Sequence, residues 1–372
     1  MENFFLTDEL RMMRDTVRRF IQKEVVPIEL EIGHYVTEVP AQYVTALQKK
    51  ARDMGCWQMG ALREWGGEEL DIFSQFVLME EASQHWFGLV SPAMDAFGKT
   101  VPTVLSKLNT ELVEKLVKPA VESGNGCFIA LDNSSNFTAR KSSNGQWIIS
   151  GSQRFVANAD KAGFGLIWAK VEDSKETMLF LVENNGSVKY KEVVLVRTIG
   201  LFDISIQDCE VSAENCLGKG GELAGGILNE YQVLLAASCL GVSREALRLC
   251  SEYATQRETF GKLLEYRNSI QDMVADSIVE LSSARLLVWS IVKKMSLGDA
   301  SENEVAMAKL VATETAFKII DRSIQIHGGM GVAQEVPVER WYREIRLARL
   351  MLESSEKIRH KLAVAEFEKY HK

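Results

Sequence analysis

Proline is scarce in this chain, with six in 372 residues and none between Pro119 and Pro337. Glycine is absent between Gly261 and Gly298. Both residues interrupt helices, so the second half of the chain can sustain long ones. Cysteine is thin and scattered: Cys56, Cys127, Cys209, Cys216, Cys239 and Cys250 form no CxxC pair. That argues against a disulfide framework and a zinc ribbon, and a reducing cytoplasm is the expected setting. The five histidines are dispersed, so no histidine-based metal centre is expected. No uncharged apolar run reaches membrane-spanning length, and no membrane segment is expected. The opening MENFFLTDEL lacks the basic and apolar regions of a secretory signal, so none is expected. No run of five basic residues occurs, and the net charge is −8 with pI near 5.4. Nucleic acid is therefore not an expected partner. The GxSxG, P-loop, GxGxxG and HExxH signatures are all missing, which removes the reactions they serve.

What is present is an ordinary globular composition, 46% hydrophobic and 25% charged, on a chain long enough for two or three domains. Three zones differ in pattern. Residues 1–125 read as helical. Thr7 is placed to cap a helix with Asp8 and Glu9 in its first turn. Leu10, Met13, Val17, Phe20 and Ile21 then share one face. Trp65-Gly66-Gly67 marks a turn. Residues 126–220 carry short alternating runs: residues 146–150 after an Asn144-Gly145 turn, then 166–169, 178–182 and 203–207. These predict a middle antiparallel β domain. Residues 221–372 return to helix. Ile270, Met273, Val274, Ser277, Ile278, Leu281, Ala284 and Leu287 keep one stripe, and Val305, Met307, Ala308, Val311, Ala312 and Ala316 another. Long stripes with short connections predict a C-terminal four-helix bundle. The fold class expected is α+β, mainly α.

Two segments combine residue types suited to a bound cofactor. In Arg257-Glu258-Thr259-Phe260-Gly261-Lys262, arginine offers a planar fork for phosphate. Phe260 offers a flat face for an aromatic ring, and Gly261 permits a sharp connection. In Gln325-Ile326-His327-Gly328-Gly329-Met330-Gly331, adjacent glycines let a backbone approach a ligand closely. Each alone also reads as ordinary structure: a corner between helices with a surface arginine, and a helix ending in glycine. His327 reads first as a structural histidine.

Together and in this order the segments resemble the acyl-CoA dehydrogenase family, with its R-x-x-F-G-K corner and Q-x-x-G-G segment. Pro337-Val338-Glu339-Arg340-Trp341-Tyr342-Arg343-Glu344 is similar to the family's P-V-E-R-x-x-R-D stretch. Residues 352–359 are similar to its E-G-T-S-E-I ending. The resemblance spans nearly the whole chain and is most specific in the C-terminal third. It implies a flavoprotein with bound FAD and a homodimer or homotetramer. By position, Arg257 would meet the FAD pyrophosphate of a neighbouring subunit. Phe260 and Asn268 would line its adenosine part, and Gln325, Gly328 and Gly329 would pack against the same cofactor across the dimer interface. Phe155 falls where the family places an aromatic near the flavin ring, Asn158 keeps an asparagine beside it, and Ala157 replaces a flavin-bonding threonine. Ser354 overlays the threonine of T-S-E and joins the cofactor set.

The catalytic end departs from the pattern. Counted without gaps from Arg343, the family's catalytic glutamate falls on Leu352, with Glu353 next to it. The alternative site on the first helix after the sheet falls on Tyr231, with Glu230 next to it and Gln232 where an arginine is usual. Glu353 and Glu230 are the candidate bases. The family's T-E-P-G-A-G-S-D loop is replaced by residues 130–136, Ala-Leu-Asp-Asn-Ser-Ser-Asn. These departures suggest an FAD-dependent oxidoreductase acting on a short acyl unit, such as hydroxymalonyl, aminomalonyl or prolyl, held as a thioester. Its carrier would be an acyl carrier protein in polyketide or nonribosomal peptide biosynthesis. Two alternatives are a conventional acyl-CoA dehydrogenase with Glu353 as base, and a non-catalytic subunit of a flavoprotein hetero-oligomer. Either enzyme requires a separate electron acceptor.

Overall fold

The structure, a computed structural model, describes the chain except residues 1–4, 34–35, 37–38, 88–94, 133–134, 173, 175, 194–199, 220 and 372, and the side chain of 222. Two compact units emerge. One comprises Met1–Leu47, Asp71–Ala96 and Tyr231–Lys372; the other comprises Gln48–Leu70 and Phe97–Glu230.

The N-terminal helices are α1 (Asp8–Phe20), α2 (Val26–Ile32), α3 (Ala41–Asp53), α4 (Ile72–Ala82) and α5 (Lys118–Ser123). Thr7 caps α1 as its sequence suggests, its Oγ1 accepting from Leu10 N at 3.2 Å. Eight strands follow: β1 (Phe128–Ala130), β2 (Thr138–Lys141), β3 (Trp147–Ala157), β4 (Phe164–Val171), β5 (Thr177–Glu183), β6 (Val188–Glu192), β7 (Leu201–Val211) and β8 (Cys216–Lys219). The C-terminal part is α6 (Gly221–Gln256), the short strands β9 (Glu258–Thr259) and β10 (Lys262–Leu263), then α7 (Asn268–Ser296), α8 (Glu302–His327), α9 (Val338–Ala348) and α10 (Ser355–Glu368).

The sheet order is β6-β7-β3-β2-β4-β5-β8, with β1 also on β4. The expected antiparallel sheet needs one correction. β1 and β2 both pair β4 in parallel, and the sheet is mixed. The Asn144-Gly145 hairpin places β3 beside β2, and β4 then joins the opposite edge of β2. A strand returning there after β3 must run parallel to β2. Alternation fixes which face a residue occupies, not which neighbour its strand finds. The sheet core holds Phe128, Phe137, Ile149, Phe180 and Ile204, with the Trp147 ring meeting Phe180 edge-on at 5.3 Å.

In the helical unit a charged network lies where α4, α6 and α7 meet. Glu80 is 1% exposed and accepts from Arg285 Nε and Trp289 Nε1, both at 2.7 Å, and from Arg244. Glu81 accepts from Arg18 at 2.6 Å and Arg244 at 3.1 Å. A β-carbon on Gly241 would lie 2.2 Å from Glu80 O, so α6 can cross α4 this closely only with glycine there.

Candidate functional site

The Arg257 corner is a two-residue hairpin. Thr259 pairs Lys262 and Glu258 pairs Leu263, leaving Phe260 and Gly261 as the turn with φ of 49° and 69°. Positive φ at both turn residues matches the strand twist, but it strains a phenylalanine. Phe260 is also 99% exposed. Arg267 holds the turn, donating from Nη2 to Thr259 O, with its guanidinium 5.8 Å from the Phe260 ring. Beyond that contact, a strained, solvent-facing aromatic gains little from its own chain. The side chains of Arg257, Asn268 and Gln325 are exposed and make no hydrogen bond or ion pair among the described residues.

A small hydrophobic cluster brings the two motifs together. Cys250 and Ala254 from α6, Leu264 after the hairpin, Ile270 from α7 and Ile326 from α8 pack as one group. Tyr253 stacks on His327, centroids 4.7 Å apart. His327 Nδ1 lies 2.7 Å from Ser323 O. A carbonyl only accepts, so Nδ1 carries the proton. Burial holds the imidazole pKa below its usual value, and the histidine is structural. Gly328 ends α8 with φ of 59°. Gly331 is required internally, because a β-carbon there would lie 2.5 Å from Ile324 O. Gly329 differs: its φ is not left-handed and its β-carbon would meet open space. Its own chain does not demand glycine there, whereas a ligand lying on this backbone would.

On the sheet unit, the pairing of β3 with β7 shifts register between Gln153 and Val156. Phe155 sits in that irregularity, 46% exposed with φ of 59°. Asn158, with φ of 65°, spends its amide on Asn125 O at 2.6 Å and Cys127 O at 3.2 Å. Its Oδ1 is buried and has no partner among the described residues. Asn136 ties the loop after β1 to β3, its Oδ1 accepting from Ser152 N at 2.5 Å. A cavity of about 270 Å³ on this unit, lined by Val104, Lys107, Cys216 and Leu223 among others, contains none of the residues selected from sequence.

The two candidate bases stand in different chemical situations. Glu230 is committed: its carboxylate accepts from Thr103 N at 3.1 Å and from Thr103 Oγ1. Burial pushes its pKa up, against the opposing effect of those hydrogen bonds. Glu353 lies half-buried in the turn between α9 and α10, and its carboxylate makes no hydrogen bond or ion pair among the described residues. Glu353 N donates to Met351 O at 2.7 Å, closing a three-residue turn on Leu352, whose φ is 63°. Turns of this kind are rare and strained. Ser354 caps α10, its Oγ accepting from Lys357 N at 3.3 Å.

Two features, Arg267 and Lys309, escaped sequence reasoning, and a third, Gln232, was noted only as standing where an arginine is usual. Arg267, which supports the hairpin, has no motif. Gln232 is buried on α6 with its Oε1 unpartnered among the described residues. Lys309 is fully buried on α8 and donates from Nζ to Glu353 O at 2.7 Å and Arg349 O at 3.1 Å. A lysine four residues after Val305, on the stripe that buries Ala308 and Ala312, was the available signal.

The residues present fit FAD. Arg257 is a free cation beside an exposed ring and an open glycine backbone, all on one cluster. Asn158 supplies an orphaned buried acceptor beside the exposed Phe155.

Comparison with known proteins agrees. Residues 7–123 match the acyl-CoA dehydrogenase N-terminal domain and residues 218–365 its C-terminal domain. The mitochondrial short-chain specific acyl-CoA dehydrogenase of Sus scrofa is 30% identical, covering 94% of this chain and 88% of that protein. The (R)-benzylsuccinyl-CoA dehydrogenase of Thauera aromatica is 26% identical, covering 98% and 96%. Among solved structures, butyryl-CoA dehydrogenase from Megasphaera elsdenii superposes with a TM-score of 0.84 at 24% identity, covering 97% and 99%.

Proposed function

Because the chain belongs to the acyl-CoA dehydrogenase family of FAD-dependent oxidoreductases, we propose that it oxidises a short acyl thioester with Glu353 as the catalytic base. Bound FAD supplies the two-electron acceptor for the hydride leaving the β-carbon. The α-proton passes to the Glu353 carboxylate as the carbon–carbon double bond forms. The observation that carries the assignment is the contrast between the carboxylates: Glu353 is uncommitted, whereas Glu230 is occupied by Thr103. Glu230 then positions the turn Thr103–Lys107 rather than a proton. Arg257, Phe260, Asn268, Gln325, Gly328 and Gly329 would hold the nucleotide part of a neighbouring subunit's FAD, Phe155 and Asn158 would border a flavin ring, and Ser354 would join the cofactor set. The domains 1–125, 126–220 and 221–372 are its working divisions.

Glu353→Gln tests the assignment. A positioned base contributes roughly a hundredfold to ten-thousandfold in rate. Anaerobic bleaching of the flavin by butyryl-CoA should slow at least about a hundredfold, while the protein stays yellow. Unchanged bleaching in E353Q removes Glu353 from the reaction.

A specific observation favours a carrier protein over CoA: the loop after β1 departs from the family motif, and Asn136 draws it onto Ser152 of β3. In that reading the acyl group arrives on a carrier's phosphopantetheine, as in biosynthetic assembly lines. Bleaching by butyryl-CoA but by no carrier-bound acyl unit would refute it. A separate acceptor, such as an electron-transferring flavoprotein, then reoxidises the flavin. Ile278, Val279 and Leu286 are at least half exposed on α7. This apolar stripe supports assembly with further copies of the chain, as a homodimer or homotetramer.

A further inference from the structure

We infer that Lys309 is a positioning residue, a buried latch that holds the strained turn carrying Glu353 in its working shape. The inference rests on Glu353 being the base. The turn is unfavourable by itself: Leu352 has a left-handed φ, closed by the short Glu353 N to Met351 O hydrogen bond. Such strain persists only where the surroundings over-determine it. Here they do. Lys309 Nζ bridges Arg349 O at 3.1 Å and Glu353 O at 2.7 Å. Ser355 N also donates to Arg349 O at 2.9 Å, and Arg349 is itself held by Glu314 of α8 at 2.7 Å. One ammonium therefore ties the two ends of the turn together from within the helix core.

Lys309 is costly to keep there. It is 0% exposed and bonds to neutral carbonyls. Its surroundings are Cys239 from α6, Glu314 on its own helix, and Arg349 and Glu353 from the turn. Burial brings its pKa down to about 8. A methionine of similar length would fill the same volume without a buried charge, but it would offer the Arg349 and Glu353 carbonyls no donor. A lysine serving only the core has no reason to be charged; one that must grip two carbonyls does.

The test is hydrogen exchange by mass spectrometry on the FAD-loaded protein, resolved to residues 350–355, with flavin bleaching by butyryl-CoA alongside. In Lys309→Met, exchange in this segment should accelerate at least tenfold and remain unchanged elsewhere. The urea midpoint should fall only slightly, by the loss of these two hydrogen bonds. Adding Leu352→Gly, which accepts positive φ without strain, should restore slow exchange, as it would not for a lysine that merely fills space. In the parent protein, protection of the segment, corrected for intrinsic exchange, should fall as pH rises through about 8, where the ammonium loses its charge. Unchanged exchange in K309M, a global loss of protection, or failure of K309M to fold would overturn the latch. The base reading is decided separately. If E353Q still bleaches while K309M loosens the turn, Lys309 holds the loop and Glu353 is not the base. If E353Q is inert and K309M bleaches at the parent rate, the latch has no role in the reaction.

Discussion

Phe260 permits a prediction whose two halves have opposite sign. Its φ of 49° places it in the left-handed region, which costs an ordinary L-residue roughly 1–2 kcal/mol. Asparagine tolerates that region and suits a two-residue hairpin followed by glycine. Phe260 is 99% exposed, so its removal forfeits no burial. The opposing loss is the contact with Arg267 at 5.8 Å, worth about 0.5–1 kcal/mol at an exposed site. The FAD-stripped Phe260→Asn protein should therefore be more stable than the parent, by up to about 1.5 kcal/mol. FAD binding should move the other way. Stacking of a base on an aromatic side chain contributes about 1–3 kcal/mol, so Kd should rise roughly 5- to 150-fold. Urea unfolding of the stripped protein measures the first quantity, and titration with FAD followed by flavin fluorescence the second. An F260N protein that is less stable and binds FAD as tightly as the parent would refute the reasoning. A variant that keeps FAD but loses its oligomeric state would assign the turn to a subunit contact instead.

The remaining predictions concern two acidic side chains. Glu80→Ala removes the carboxylate that accepts from Arg285 Nε and from the buried Trp289 Nε1 and should cost about 3–5 kcal/mol in chemical denaturation. Glu230 has a pKa raised above its ordinary 4.5 by burial. The folded protein therefore holds this proton more tightly than the unfolded chain. Its stabilising contribution is complete below pH 4.5 and is lost as pH rises through the raised value. Glu230→Gln should flatten that slope in unfolding midpoints measured across the acid range, with bleaching by butyryl-CoA unaffected by loss of the charge. A steeper slope in E230Q would contradict the assigned direction.

The order of helices, sheet and helices was legible because its signals are local. Thr7 and its acidic first turn specify α1, Asn144-Gly145 specifies the β2–β3 hairpin, the absence of proline permits α6 to α8, and the absence of glycine favours α7 and α8. Partners were not legible. Nothing in the alternation of β4 tells that β1 and β2 join it in parallel, because pairing is settled by where the hairpin folds back. The Arg257 corner was picked out as a candidate by its residue types, but its shape was not: Arg257-Glu258-Thr259-Phe260-Gly261-Lys262 reads as a connection between helices and is a strained β turn. Asn158 was chosen for the flavin, yet most of its hydrogen bonding is spent on Asn125 and Cys127. Lys309 was hidden because a single lysine in an apolar stripe usually extends its charge to solvent.

Backbone strain separates the candidates in a way residue identity cannot. Among the described residues, eight that are not glycine have positive φ. Asn158 was already a candidate, and four others, Gln58, Glu69, Asp95 and Asp208, are polar. Asparagine and aspartate bear this conformation better than most side chains because they hydrogen-bond locally. The three apolar ones are Phe155, Phe260 and Leu352. For bulky side chains the conformation is a true outlier, costing of order 1–3 kcal/mol each. All three occupy positions that the resemblance assigns to the flavin ring, the adenosine and the catalytic glutamate. A fold with no use for those shapes would relieve them with single substitutions to glycine or asparagine. Their joint retention implies that the function needs the backbone where the strain puts it. At Leu352 the family's own carboxylate is gone while the strained turn is present. In the function proposed above, the turn serves something other than the side chain at its apex, and Glu353, the next residue and the one whose carbonyl Lys309 grips, is the group it would present.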